Sequence, residues 1–288
     1  MYRITDIDRN NLEVYQGFLG DDVSENIGRE YYRAIAAVSD IDDKLCGCMV
    51  WVLKNIAQEI DNESHIVFIK CGDKDVFDAM MEGYGERIKD EQVVRSTAFV
   101  PLKEAKLLKA MLKDAGFGMR LTESNVINVR LSEMSQMPLI EKLRNKKMPD
   151  SITTLNQISI RAFRRGIAKC VNQGRYGLCE DLESLGVRWF EDDISSVSTG
   201  EDGINGLFLF HVRPSGVVAA QLLVCLDQSF KKTLPMLMCR FVTAMEEKYG
   251  PDTMIELDRH NEQSLLLSEK LLPRGFGIPI YEGSRTEI

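Results

Sequence analysis

The residues best placed to do chemistry lie in the second half of the chain, where Asp227-Gln-Ser-Phe-Lys-Lys-Thr233 separates an apolar run from an apolar-periodic segment. Lys231 and Lys232 supply two cations, and Thr233 followed by Leu234 and Pro235 reads as the N-cap and first turn of a helix. A helix N-terminus presents unbonded backbone N–H groups and the positive end of the helix dipole, so cations beside it make an anion or phosphate site. The alternative is a solvated turn that caps a helix. Further on, Glu256 and Asp258 stand two apart, opposite Ile255 and Leu257. On a strand that spacing puts both carboxylates on one face, where they could bind an amine or act as a base with a mutually raised pKa, or else face solvent at an edge. Gln221 lies within the apolar run; an amide takes up no proton at neutral pH, so a hydrogen-bonded core amide is expected there. Arg161, Arg164, Arg165 and Lys169 recur at helical spacing, as a stripe for an acidic partner or as a solvated face. His65, His211 and His260 have no ligand spacing with one another or with Cys, and no Ser-His-Asp or Cys-His arrangement follows from spacing, so no metal is expected.

These groups need elements to hold them. Residues 217–225 are nearly all apolar, as in a strand buried on both faces. Leu234, Leu237, Met238, Phe241, Val242 and Met245 then recur with the period of an amphipathic helix whose wet side carries Arg240, Thr243, Glu246, Glu247 and Lys248. The first half reads as a strand at 2–5, a helix at 10–19 ended by Gly20, a helical patch at 25–32, a turn at 40–44, strands at 46–53 and 65–70, a helix at 75–89, a strand at 93–100, a helix at 102–115 and a strand at 126–131. Residues 139–147, between Pro138 and Pro149, look like a connecting helix. The second half repeats the order: a helix through Leu155 and Ile167, a second helix at 176–185, strands at 194–197, 207–212, 217–225 and 254–258, and a last helix at 261–272. Lys113-Asp-Ala-Gly-Phe117 and Lys270-Leu-Leu-Pro-Arg-Gly-Phe276 end the two copies alike. The expected organisation is two domains, 1–136 and 151–288, joined by 137–150.

Bulk properties agree with two folded domains. The 288 residues are 44% hydrophobic and 28% charged, without a low-complexity tract. A net charge of −8, with both halves acidic, argues against nucleic acid as a partner. Seven Cys without secretory spacing, most of them within apolar runs, fit a reducing cytoplasm. No apolar run approaches the roughly 18 residues of a membrane span, and Met1-Tyr-Arg-Ile-Thr-Asp has no signal-peptide core, so a soluble, unprocessed protein is expected.

Helix pair, three antiparallel strands, loop, helix, strand, helix and a Gly-Phe into a closing strand resembles the GNAT-type N-acetyltransferase superfamily, and the doubling resembles its tandem members. Asn261-Glu-Gln-Ser-Leu-Leu-Leu-Ser-Glu-Lys-Leu is similar to the Asn-x-x-Ala-x-x-Leu-Tyr-Glu-Lys phrase of that family. The resemblance implies an α/β (α+β) fold of two acyl-CoA N-acyltransferase domains, each a mixed, mostly antiparallel sheet flanked by helices. It implies acetyl-CoA or CoA as cofactor, with backbone groups of Leu223, Val224 and Cys225 gripping the pantetheine. Ser229, Lys231, Lys232, Thr233 and Leu234 would lie at the pyrophosphate, and Asn261 opens the matching helix. The acceptor would be a small-molecule or peptide amine, with Glu256 or Asp258 as base. Thr233 and Pro235 stand where the family's loop has glycines; Pro offers no N–H, so a phosphate contact is missing that Lys231 and Lys232 would offset. The family's general-acid Tyr falls on Ser268, and on Leu112 in the first half, whose loop Lys70-Cys-Gly-Asp-Lys-Asp75 lacks the glycine pair. The first copy is therefore expected to be degenerate, and the alternative for the whole chain is a non-catalytic acyl-CoA-binding or protein-interaction module.

Overall fold

The computed structural model describes residues 1–58, 60–103, 105–226, 230–259 and 277–287. They form two compact units, Met1–Glu123 with Pro279–Ile288, and Ser124–Ile278.

In the first unit the elements run β1 (Tyr2–Asp6), α1 (Leu12–Leu19), α2 (Asp21–Ser24), β2 (Tyr32–Ser39), β3 (Leu45–Lys54), β4 (Glu63–Cys71), α3 (Lys74–Asp90), β5 (Arg95–Pro101) and α4 (Ala105–Asp114), then the start of β6 (Gly118–Arg130). Its strands lie in the order β1-β2-β3-β4-β5, with β12 (Gly277–Thr286) next to β5. Only β4 and β5 are parallel; the other pairs are antiparallel. Both faces of β3 are apolar because both are covered. Met49, Trp51 and Leu53 join Phe77, Met80 and Tyr84 of α3 in one core, and Cys48 and Val50 join Tyr15 and Leu19 of α1 in the other.

The second unit takes residues 124–130 of β6, then α5 (Leu131–Ser135), α6 (Pro138–Arg144), β7 (Ile152–Thr154), α7 (Ile160–Asn172), β8 (Ser196–Gly200), β9 (Gly203–Val212), β10 (Val218–Cys225), α8 (Phe230–Lys248) and β11 (Met254–Asp258). Its strand order is β7-β8-β9-β10-β11-β6, with β10 and β11 as its parallel pair. Phe208 and Phe210 of β9 face Phe241 of α8, the rings of Phe210 and Phe241 stacking at 3.7 Å, while Leu207 and Leu209 face Phe163 and Ile167 of α7. Burying each such side chain stabilises the fold by about 1.5–3 kcal/mol.

The two units thus repeat one mixed sheet, and each is completed by a strand from the other half of the chain. The expected boundaries lie at 136 and 150; the compact units divide the chain after Glu123 and give residues 279–288 to the first. Residues 137–150 include a helix, α6, as expected, but they are no free tether, because Met137, Ile140 and Leu143 are buried in the core against α8. The helical patch at 25–32 is a run of turns around Gly28, whose φ of 86° only glycine adopts readily. Residues 176–185 are likewise turns, with left-handed glycines just before them at Gly174 and near their start at Gly177. The helix assigned from Leu155 begins later: residues 155–157 form one 3-10 turn, and Ser159 caps α7 by accepting the Ala162 N–H at 3.2 Å. Among the described residues, no helix is long and apolar enough to cross a membrane.

Candidate functional site

The two parallel strands of the second unit part almost as soon as they meet. β10 pairs with β11 only at Val218↔Ile255 and Ala219↔Glu256, whereas its pairing with β9 continues to Cys225↔Gly206. Beyond Ala219 the other edge of β10 has no strand partner among the described residues. The register with β9 shifts between Ala220 and Leu222, so Gln221 is an extra residue, a bulge that bends the strand and increases its twist. Leu223 and Cys225 pack on the α8 side and Leu222 and Val224 on the α7 side, so the open edge is presented by well-anchored backbone.

The first unit repeats this geometry. β4 and β5 pair from Glu63↔Arg95 to Ile66↔Ala98 and no further, and the register with β3 shifts so that Val67 is the extra residue. Matching the bulges sets Val67 on Gln221, Cys71 on Cys225 and Gly47 on Gly206. Each of these glycines seats a helix. A Cβ on Gly47 would lie 2.8 Å from Val76 of α3, and one on Gly206 would lie 3.1 Å from Thr233 and 3.2 Å from Leu237 of α8.

The helix ends that follow are different. α8 begins at Phe230, so Thr233 is not its cap: it is an interior residue, 8% exposed, with its methyl group against Gly206. Thr233 and Leu237 are one turn apart and both bury on that glycine, and this packing draws the preceding residues into the helix. Pro235 is consequently inside α8 rather than in its first turn and leaves the Lys231 carbonyl without the usual helix bond. Lys232 is exposed and Leu234 half-buried. The first turn of α8 holds no acidic residue. Ser229, Asn261, Ser268 and the Lys231 side chain lie outside the described residues. In the first unit, by contrast, Asp73 caps α3, its carboxylate accepting the Val76 N–H at 3.0 Å, and Asp75 adds a second negative charge. Lys74 beside them is bonded to Asp78 at 2.9 Å.

Glu256 and Asp258 share a face of β11, but β11 is flanked by β10 and β6, so neither is an edge carboxylate. Both are half-buried. Arg213 holds Glu256 in a two-armed ion pair, Nη1 to Oε2 at 3.0 Å and Nη2 to Oε1. An amine would have to displace that guanidinium to reach Glu256. Arg213 was not singled out in the sequence, 43 positions from its partner. Cys179 and Gly177 were also missed. The Cys179 thiol donates to Gln221 Oε1 at 3.1 Å and the Leu178 N–H to the Gln221 carbonyl at 2.9 Å, so the expected hydrogen-bonded amide has its partner in the turn segment. Elsewhere, Arg164 of the basic stripe donates to the carbonyls of Glu183 and Leu185. Among the described residues, the one cluster of three carboxylates close enough to share an ion, Glu191 to Asp193, is met by Lys248.

No family model matches the sequence, and the comparison with curated proteins gives no match either. Solved structures do match. A tandem GNAT protein from the clavulanic acid biosynthesis pathway, determined without AcCoA, superposes with a TM-score of 0.64 at 7% identity over 100% of this chain and 99% of its own. A GCN5-related N-acetyltransferase from Kribbella flavida gives 0.52 at 11% identity, over 99% of this chain and 71% of its own. A GCN5-related glucosamine N-acetyltransferase region of a fungal multi-domain beta-N-acetylglucosaminidase gives 0.54 at 10% identity, over 99% and 38%. With the element order, the parallel pair that splits and the bulge present in both units, this chain has the tandem GNAT fold.

Proposed function

We propose that the second unit binds acetyl-CoA, or CoA, along the open edge of β10 with its pyrophosphate at the N-terminus of α8, and passes the acetyl group to an amine. The observation that carries this reading is the split between β10 and β11 after Ala219. Among the described residues, no strand pairs Leu222 to Val224 on the side that faces away from β9, and backbone donors and acceptors on such an edge demand a partner. A pantetheine arm, with its two amides, can pair that edge as an added strand would. Lys231 and Lys232 at the start of α8 would meet the phosphates together with the helix dipole. The first unit has the same split, but there the carboxylate of Asp73 already holds the helix N–H that an anion would use. Phosphate at α3 would face two aspartates, which favours the second unit as the cofactor site.

In this scheme the amine nitrogen attacks the thioester carbonyl carbon, the C–S bond breaks, CoA leaves as the thiolate, and the amine surrenders a proton. Glu256 or Asp258, which share a face of β11, would take that proton, Glu256 only on release from Arg213. That same ion pair, with the interior Pro235, favours a second reading: a unit that binds acyl-CoA, or a protein partner, without turnover. Thermal unfolding with and without acetyl-CoA tests the first reading. Ligand at about 100 times its Kd stabilises the native state by about 2.7 kcal/mol. The shift should vanish in Lys231→Ala/Lys232→Ala and persist in Asp73→Ala. No shift in the wild type overturns the cofactor site; binding without CoA release across a panel of amines leaves the non-catalytic reading.

A further inference from the structure

Gln221 is the one polar side chain at the bulge, and its amide is only half used. Its two oxygens are both taken from one side, the main-chain carbonyl by the Leu178 N–H at 2.9 Å and Oε1 by the Cys179 thiol at 3.1 Å. Gly177 makes that approach possible. Its φ is 62°, and a Cβ there would stand 2.4 Å from the Gln221 carbonyl oxygen and 2.9 Å from Leu222 Cδ1. A thiol donates to an amide oxygen more readily than it accepts from an amide N–H, so Cys179 decides which way the amide faces. What remains is Nε2, whose two N–H groups donate to no protein group among the described residues.

We infer that Gln221 Nε2 donates a hydrogen bond to the carbonyl oxygen of the bound acyl group, with Cys179 and Gly177 as the residues that position it; this rests on CoA occupying the open edge of β10. Placement supports it. Gln221 is two residues past the last β10–β11 pair, at the narrow end of the split, and four residues from Cys225, the end that leads to α8. At a strand's rise that is about 13 Å. An arm whose phosphates sit at α8 therefore brings its thioester toward the narrow end. As the amine nitrogen bonds to the carbonyl carbon, the C=O electron pair moves onto oxygen, and it returns when the C–S bond breaks. A donor already oriented at that oxygen stabilises the intermediate without reorganisation. Because the amide is neutral, it does so at any pH the fold survives.

The test needs no knowledge of the acceptor. S-acetonyl-CoA carries a carbonyl and no thioester, and S-propyl-CoA is its counterpart without the carbonyl; calorimetry on the full chain gives both affinities. The wild type should prefer the acetonyl compound by about fivefold, one hydrogen bond's worth. Gln221→Leu should erase that preference while leaving the S-propyl-CoA affinity unchanged. Cys179→Ala should reduce it, and Cys179→Ser, whose hydroxyl can donate to the same Oε1, should restore it, a rescue that a purely structural role for the thiol does not produce. Equal wild-type affinity for the two compounds, or a preference that survives Gln221→Leu, overturns this inference alone. Failure of the wild type to bind either compound overturns the cofactor reading and this inference with it.

Discussion

Lowering the pH from 7 to 5.5 should weaken the first unit through a single imidazole. His65 sits where β4 still pairs with β5, its Nδ1 2.8 Å from Thr97 Oγ1 and its ring edge-on to Phe99 at 4.7 Å. Burial, with a smaller push from Lys54, lowers its pKa from 6.5 to about 4. The unfolded chain therefore binds a proton near pH 6.5 that the folded chain refuses until about pH 4, and stability falls with pH across that window. At about 1.36 kcal/mol per unit the full loss approaches ~3 kcal/mol, of which about 1.2 kcal/mol is spent between pH 7 and 5.5, above the range where most carboxylates titrate. Trp51, 1% exposed and in the first unit, reports the unfolding if Trp189 of the second unit is replaced by Phe. Urea titrations in that background at the two pH values, repeated with His65→Asn, separate this residue from all other titrations. Asn can place an amide atom where Nδ1 now meets Thr97, but it does not ionise. The parent should lose about 1 kcal/mol more than His65→Asn over this interval. Equal losses in the two proteins would refute the assignment.

Three further outcomes follow from the same geometry. Asp73→Ala removes the cap of α3 and should cost about 1 kcal/mol in urea unfolding of the first unit, with Asp73→Ser recovering most of it. Gly47→Ala drives a Cβ to 2.8 Å from Val76 and 3.1 Å from the Lys70 carbonyl, an overpacking of about 2 kcal/mol that Val76→Ala should partly relieve, so the double variant should be more stable than additivity allows. Arg213→Met strands the half-buried Glu256 carboxylate and should cost about 1–2 kcal/mol, the pair being too exposed for the full penalty of a buried one; in a cycle with Glu256→Gln the coupling should be about 1 kcal/mol, and a coupling near zero would mean the ion pair does not form in solution.

Elements whose apolar pattern matched a buried face were legible in the sequence. The run at 46–53 is β3 because helices cover both sides of it, and the periodic segment at 75–89 is α3 because Val76, Phe77, Met80, Met81, Tyr84 and Ile88 line one side. Residues 176–185 show how the same pattern can mislead. Cys179, Leu182 and Leu185 are all buried at a spacing of three, yet the spacing comes from successive turns, Leu182 N–H to the Cys179 carbonyl and Leu185 N–H to the Asp181 carbonyl, set off by the left-handed Gly174 and Gly177. Pairing partners were not legible at all: the sequence reads as a strand at 126–131, and the resemblance implies a closing strand after Gly275-Phe276, but neither says which sheet receives it. The bulge at Gln221 and the Arg213–Glu256 pair depend on register in the same way.

Thr233 is the instructive error, because capping residues carry a real signal and here it pointed four residues too late. What the signal omits is Gly206. Thr233 and Leu237 bury on that glycine as Val76 and Met80 bury on Gly47, so Thr233 corresponds to a residue inside α3, and the residue corresponding to Phe230 is Asp73. The two copies have kept the seat of the helix, the split strands and the bulge. They differ in what stands at the helix N-terminus: a carboxylate already bonded to the backbone in one, and in the other a first turn that has no acid and contains Lys231 and Lys232. An anion that binds through helix N–H groups can distinguish the copies on that difference alone, and removing the Asp73 carboxylate does not supply the cations that the second copy has.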